Sequence, residues 1–342
     1  MAKTVLVTGG SGYIAGWCAN SLLERGYQVR STVRGPEKTS SARAAAGAAD
    51  PTAPISFPVA DLCSDQGWDE AMDGVDHVLH VASPLGLSPA TSPEEIIDTA
   101  KNGALRVLRA AARAGVKRVV MTSAANTAMP APGSPGGVCD ETVWSDPAKL
   151  GQHPYAKSKT VAELAAWDFV QDHCDGMELT TVLPGAVFGP LLTRRGFGSA
   201  DVIARMLSGR IPATPRISLE VVDVRDLADV HIRAMESPRA AGERFLATGE
   251  ALWMREIGQI LRAELGDAGR KAPVRELPDF LVRLAARFDG QLAEIAPQIG
   301  RKHFHSAQKA RQTLGWRPRP AKDAVVACAR SLLESEPEPS RP

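Results

Sequence analysis

Residues 4–16 read Thr4-Val5-Leu6-Val7-Thr8-Gly9-Gly10-Ser11-Gly12-Tyr13-Ile14-Ala15-Gly16, a short apolar run that breaks into glycines and reopens in a helical pattern. Val5, Leu6 and Val7 in succession fit a strand buried on both faces. The glycines follow a G-x-x-G-x-x-A spacing. That spacing removes side-chain bulk where backbone N–H groups and the first turn of a helix can face a phosphate. It predicts a dinucleotide-binding turn, with Gly9, Ser11, Gly12, Tyr13 and Ile14 along the pyrophosphate.

Similar apolar runs recur at 28–33, 55–59, 76–81, 117–122 and 179–183, each followed by a stretch compatible with a helix. The clearest helix start is Ser92-Pro93-Glu94-Glu95: Ser92 can cap, Pro93 suits the first helical position, and Glu95 completes a capping box. That helix is expected to run to about Gly115. The alternation predicts an α/β fold, a Rossmann-type doubly wound parallel sheet with its site at the carboxyl ends of the strands. Beyond Gly189, prolines at 212, 215, 238, 273, 278 and 297 break the pattern, with one further strand at 218–224. The first domain is therefore placed at 1–190, with 217–249 returning to it, and a smaller C-terminal substrate-binding domain at 191–342. The segments 40–54 and 130–137 read as surface connections, and the tail 334–342 as disordered.

Of the 342 residues, 44% are hydrophobic and 23% charged, the balance of an ordinary globular chain. Lys and Arg number 40 against 39 Asp and Glu, so no positive excess exists to neutralise a nucleic-acid backbone or an anionic membrane. The five cysteines are scattered and odd in number, which fits reduced thiols, and the N-terminal apolar run is too short for a signal-peptide core. A cytoplasmic protein, monomer or homodimer, is expected. His303 and His305 lack a third ligand and read as a solvated basic segment, so no metal is assigned; His80 and His231 read as structural.

The second strand ends Val29-Arg30-Ser31-Thr32-Val33-Arg34 without the carboxylate that would hold the ribose hydroxyls of NAD. Arg34 stands there instead, with Lys38 four residues on. A guanidinium suits a ribose phosphate, which points to NADP(H). Of the three tyrosines only Tyr155 has a base one helical turn later, at Lys159. A nearby ammonium favours the ionised phenol and brings it closer to working as a proton donor at neutral pH. Thr122 and Ser123 close the fifth strand, where a hydroxyl would emerge beside the nicotinamide.

These pieces together resemble the extended short-chain dehydrogenases/reductases, and within them the dihydroflavonol reductase, cinnamoyl-CoA reductase and microbial aldehyde reductase group. The matching stretches are VTGGSGYIAGW at 7–17, VRSTVR at 29–34, Asp61-Leu62, HVASP at 80–84 and DETVWSD at 140–146. They continue with YAKSKTVAE at 155–163, LPGAVFGP at 183–190 and VVDVRDLADVHI at 221–232. The resemblance implies Asp61 and Leu62 on the adenine side, and Val81, Ala82 and Ser83 along the cofactor. It places Pro184, Gly185 and Val187 by the nicotinamide, and Arg34 on the NADP phosphate.

One departure concerns the group's catalytic serine, which maps onto Ala124. Ser123 is the candidate replacement, with Thr122, Asn126 or Tyr155 alone as alternatives. Met129 stands where plant flavonoid reductases hold a substrate-binding asparagine, and GQHPYAKSK replaces the cinnamoyl-CoA reductase signature. The expected activity is thus NADPH-dependent reduction of a compact aldehyde, ketone or keto ester, with the alcohol as reverse substrate. The pocket would be walled by residues 126–139, the segment after Gly189 and the C-terminal domain. The rival readings are an NAD-dependent nucleotide-sugar epimerase or dehydratase and a non-catalytic NADP-sensing regulator.

Overall fold

The computed structural model describes residues 2–84, 91–131, 134–150, 154–173, 176–193, 198–288, 296–300 and 303–334. The run that opens the chain becomes β1 (Thr4–Val7), an inner strand of a seven-stranded parallel sheet. With β2 (Gln28–Ser31), β3 (Ile55–Ser56), β4 (His77–His80), β5 (Arg118–Thr122), β7 (Glu178–Pro184) and β10 (Arg244–Ala247), the order is β3-β2-β1-β4-β5-β7-β10. β5 is buried from end to end, and β1 and β4 in all but their first residue, as the apolar runs require. The predicted doubly wound α/β architecture is the observed one.

The helices flanking this sheet are α1 (Tyr13–Glu24), α2 (Thr39–Ala45), α3 (Trp68–Met72), α4 (Pro93–Arg113) and α5 (Pro154–His173). The capping box at Ser92 forms as expected: its Oγ accepts from the Glu95 N–H at 3.2 Å, and the Glu95 carboxylate accepts from the Ser92 N–H at 2.9 Å. Residues 40–54 are not a plain surface connection. Their alanines build α2, and Ala42, Ala45, Ala46 and Ala48 are buried against α1. Gly16 makes this approach possible, because a Cβ there would come 2.2 Å from the Ala45 carbonyl oxygen.

Beyond β7 the chain builds a second layer. Strands β8 (Ala186–Phe188), β9 (Ser218–Asp223) and β11 (Ala251–Trp253) form a small mixed sheet. Helices α6 (Ala200–Leu207), α8 (Met254–Leu265) and α11 (Ala321–Glu334) enclose Phe188, Ile203, Ile257, Leu261 and Val325 against it. Helix α9 (Asp279–Ala285) lies beyond α8 in the chain. Within 217–249, β9 belongs to the small sheet, whereas α7 (Val224–Glu236) packs on α1 and β10 edges the large one. A second parallel pair joins β6 (Gly137–Cys139) to β12 (His303–His305). Residues 132–133 of the 130–137 segment, and 335–342 of the tail, lie outside the described residues. Among the described residues no helix is long and apolar enough to cross a membrane.

Helix α10 (Gln308–Leu314) and Trp316 return to the first layer. Trp316 is fully buried in the core with Leu227 and Phe245, and its indole N–H donates to the Asp226 carbonyl at 2.8 Å. Truncation would leave a large cavity and an unpaired carbonyl. Trp316→Ala is predicted to destabilise the fold by about 3–5 kcal/mol, read as a lower denaturant midpoint.

Candidate active site

At the carboxyl end of β1 the glycines are required by contact. Gly9 has φ +79°, and a Cβ on it would lie 3.1 Å from that of Ala82. A Cβ on Gly10 would come 2.3 Å from Ser31 Oγ, a buried hydroxyl with no partner among the described residues. The loop is held from below: the Gly9 N–H donates to Thr32 Oγ1 at 3.1 Å and the Gly10 N–H to the Thr32 carbonyl at 2.8 Å. Gly12 caps α1 without a side-chain bond, and no acidic residue occupies the first turn. The leading N–H groups are thus open to an anion. Thr8 Oγ1 accepts from the Ala82 N–H and meets His80 Nδ1, both at 2.9 Å, seating the end of β4 beside the loop.

Ser11 and Ile14 are half-buried at this turn. The Tyr13 side chain faces the second layer instead, its hydroxyl donating to the Gly189 carbonyl at 2.9 Å, and Trp17 does the same to Pro190 at 2.9 Å. Burial pushes the Tyr13 phenol far above its ordinary range, so its backbone is the part available to a phosphate. Arg34 is exposed past β2 and makes no hydrogen bond or ion pair among the described residues; Lys38 closes the short turn Pro36–Lys38. Asp61 accepts from the Cys63 N–H at 2.9 Å. Leu62 packs on Gly103 of α4, where a Cβ would come 2.8 Å from its own. Val81, Ala82 and Ser83 are half-buried after β4. Pro184 ends β7, Gly185 follows it, and Val187 is buried in β8.

Tyr155 lies in the first turn of α5, and burial pushes its phenol up to about 12, the reverse of the lowering expected from Lys159. Lys159, one turn later, donates from Nζ to the Thr122 carbonyl at 3.0 Å. Burial brings its ammonium down to about 8, with Glu163 acting in the opposite direction. Thr122 Oγ1 lies 2.7 Å from His231 Nε2, whose Nδ1 donates to the Leu227 carbonyl at 2.7 Å. Burial first, and then the Lys159 charge, hold His80 down to about 3; burial likewise leads in bringing His231 to about 4. Both rings are neutral packing elements behind the lysine.

The Ser123 hydroxyl, the candidate for polarising a carbonyl, donates instead to Glu163 Oε2 at 2.5 Å. The other Glu163 oxygen accepts from Thr181 Oγ1 at 2.7 Å and from Arg244 Nε at 2.9 Å. Arg244 also donates to the Glu141 and Val143 carbonyls at 2.7 and 3.0 Å, and stacks 3.5 Å over Trp144. Sequence reading missed Glu163 and Arg244. Glu163 carried a signal, since it continues the i, i+4 row of Tyr155 and Lys159; Arg244 carried none. The solvated reading of His305 is overturned: its side chain is 4% exposed and its Nδ1 lies 2.5 Å from Glu220 Oε2. Among the described residues no group of three or more His, Cys, Asp or Glu could hold a metal ion.

A protein family described as the NAD dependent epimerase/dehydratase family matches residues 5–247. Cinnamoyl-CoA reductase 1 of Arabidopsis thaliana is 38% identical over 264 residues, covering 76% of this chain and 74% of that protein. The ketoreductase azaE of Aspergillus niger is 30% identical over 354 residues, covering 98% of each. Among solved structures, the yeast methylglyoxal/isovaleraldehyde reductase Gre2, complexed with NADPH, shares the fold with a TM-score of 0.79. It is 24% identical, and the match covers 97% of this chain and 98% of that one.

The depressed lysine makes a stability prediction. With a folded value of about 8 and an unfolded value of about 10.4, the unfolded chain binds the proton more tightly between those limits. Stability from Lys159 therefore rises with pH from about 8 to about 10. The denaturation midpoint of the free protein, taken relative to that of Lys159→Met, should rise across that range.

Proposed function

The chain belongs to the NAD dependent epimerase/dehydratase family, and on that premise we propose that it is an NADPH-dependent carbonyl reductase for an aldehyde, ketone or keto ester. The observation that carries the proposal is the i, i+4 row of half-buried Tyr155 and buried Lys159, whose Nζ reaches the end of β5, together with a glycine cradle open to a pyrophosphate. The reductase names of the relatives at 38% and 30% identity support the same reading. The cradle suits NADP(H): side chains on Gly9 and Gly10 would fill it, and Arg34 offers a guanidinium unpaired among the described residues where a 2′-phosphate would lie. When bound, NADPH supplies the hydride.

The protein's own groups then have separate tasks. Backbone N–H groups of Ser11, Tyr13 and Ile14 hold the pyrophosphate over the turn that Gly9 and Gly12 shape, Arg34 and Lys38 the 2′-phosphate, and Asp61 and Leu62 the adenine side. Residues 81–83 run along the cofactor, and Pro184, Gly185 and Val187 back the nicotinamide. Tyr155, a neutral phenol at physiological pH that burial holds more firmly protonated, carries the proton that the reduced carbonyl oxygen takes up. Lys159 has one donor on the Thr122 carbonyl and two left for the ribose hydroxyls and the phenol, whose anion its charge stabilises.

A second donor to the carbonyl oxygen is assigned to Asn126. Ala124 has no hydroxyl, Ser123 is engaged with Glu163 and Thr122 with His231. The Asn126 amide, half-buried in the turn after Ala124, has no hydrogen bond among the described residues. Ser145 fixes that turn by donating to the Asn126 carbonyl at 2.7 Å. Arg34 and the intact Tyr155 and Lys159 row speak against the epimerase and sensor readings respectively.

Oxidation of NADPH against a panel of aldehydes, diketones and keto esters is the test. Tyr155→Phe is predicted to lower kcat by about 10²–10⁴-fold and Asn126→Ala by about 10–100-fold. Arg34→Ala should raise KM for NADPH by about tenfold while leaving NADH kinetics alone. Turnover that survives Tyr155→Phe would refute the assignment of the proton donor.

A further inference from the structure

We propose that Arg244 is a positioning residue: its guanidinium, anchored on Glu163 of α5, grips Thr127 and so holds the neighbouring Asn126 at working distance from Tyr155. This rests on the reductase reading and on its assignment of Asn126 as the second donor. The two donors ride on different elements. Tyr155 stands in α5, two helical turns before Glu163. Asn126 stands in the turn Ala125–Ala128, next to Thr127. Arg244 opens β10, and its side chain reaches both elements at once.

The donors of the fork are divided between these partners. Nε donates to Glu163 Oε1 at 2.9 Å, Nη2 to Thr127 Oγ1 at 3.0 Å, and Nη1 to the Glu141 and Val143 carbonyls at 2.7 and 3.0 Å. Thr127 Oγ1 accepts from Arg244 because its own proton goes to the Ala124 carbonyl at 2.9 Å. Arg244, Glu163 and Thr127 are all buried, so bulk water does not compete for these bonds. Ser145 clamps the other side of the turn, donating its N–H to the Thr127 carbonyl and accepting from the Met129 N–H, both at 2.9 Å. The Arg244 side is the one tied to α5. Balancing the Glu163 charge does not by itself call for an arginine. An ammonium carries the same charge, but as a point donor on a flexible stem it cannot hold a carboxylate and a hydroxyl in one rigid plane. Holding both matters to a reaction in which a misplacement of about 1 Å costs on the order of 10²-fold in rate.

Arg244→Lys keeps the charge opposite Glu163 and removes the fork. With the panel ketone that the unmodified protein reduces fastest, it is expected to lower kcat by about 10–100-fold. Its affinity for NADPH, measured by calorimetry, should stay within about twofold of the unmodified protein and serves as the folding control. The loss should disappear once the Asn126 amide is gone: Arg244→Lys combined with Asn126→Ala is expected to match Asn126→Ala alone within about threefold. Thr127→Val leaves Arg244 on Glu163 and deletes only the hydroxyl, and it decides the matter if Arg244→Lys does not fold. It should lower kcat by about tenfold, again only while Asn126 is present. Full kcat in either folded variant, or a loss that multiplies with that of Asn126→Ala, overturns the proposal. Failure of the reductase reading, which would overturn it too, has a different signature: no NADPH oxidation by the unmodified protein, or full kcat in Asn126→Ala.

Discussion

A buried carboxylate, Glu163, holds the site together. It has no exposed side-chain surface, and its guanidinium partner Arg244 is 7% exposed. Withdrawing two charges from water carries a penalty of several kcal/mol per ion, which only a full set of hydrogen bonds offsets. That set comes from Ser123 at the end of β5, Thr181 in β7, Arg244 in β10 and the carbonyls of Glu141 and Val143. The requirement to satisfy one anion therefore bolts α5 to three neighbouring strands. Tyr155 and Lys159, on the same row of α5, inherit that rigidity. It also explains why the Ser123 hydroxyl faces inward.

The cofactor end is arranged by a different constraint, the absence of side chains. Strands β1 and β4 are neighbours across the point where chain order in the sheet reverses, the place where parallel α/β sheets bind ligands. Gly9 lets the loop rest on Ala82, and Gly10 lets it rest on Ser31. The side chains of Tyr13 and Trp17 reach across to Gly189 and Pro190, tying the phosphate loop to the start of the second layer. Helix α1 is thereby braced against the second layer, and α5 against the large sheet by the Glu163 cluster.

Local patterns were legible because their causes are local. The apolar runs became the parallel strands, the Ser92 capping box formed, and Tyr155 and Lys159 fall on one face of α5 because helical geometry alone places them there. What composition obscured was partnership at a distance. The alanines of 40–54 looked like a connection until Gly16 brought α1 against Ala45. Ser123 looked free because Glu163 lies 40 positions on, and Arg244 lies 81 beyond Glu163. His305 looked solvated because Glu220 is 85 positions away. Burial and charge pairing of this kind depend on the completed fold, and no spacing rule reports them.

Isotope transfer tests the central claim most directly. The protein is incubated with a ketone and NADPH carrying deuterium at both C4 positions of the nicotinamide, and the alcohol is analysed by mass spectrometry. The account predicts one deuterium on the carbinol carbon, and loss of that product in Tyr155→Phe. Alcohol formed without deuterium, or labelled alcohol formed equally well by Tyr155→Phe, would contradict it.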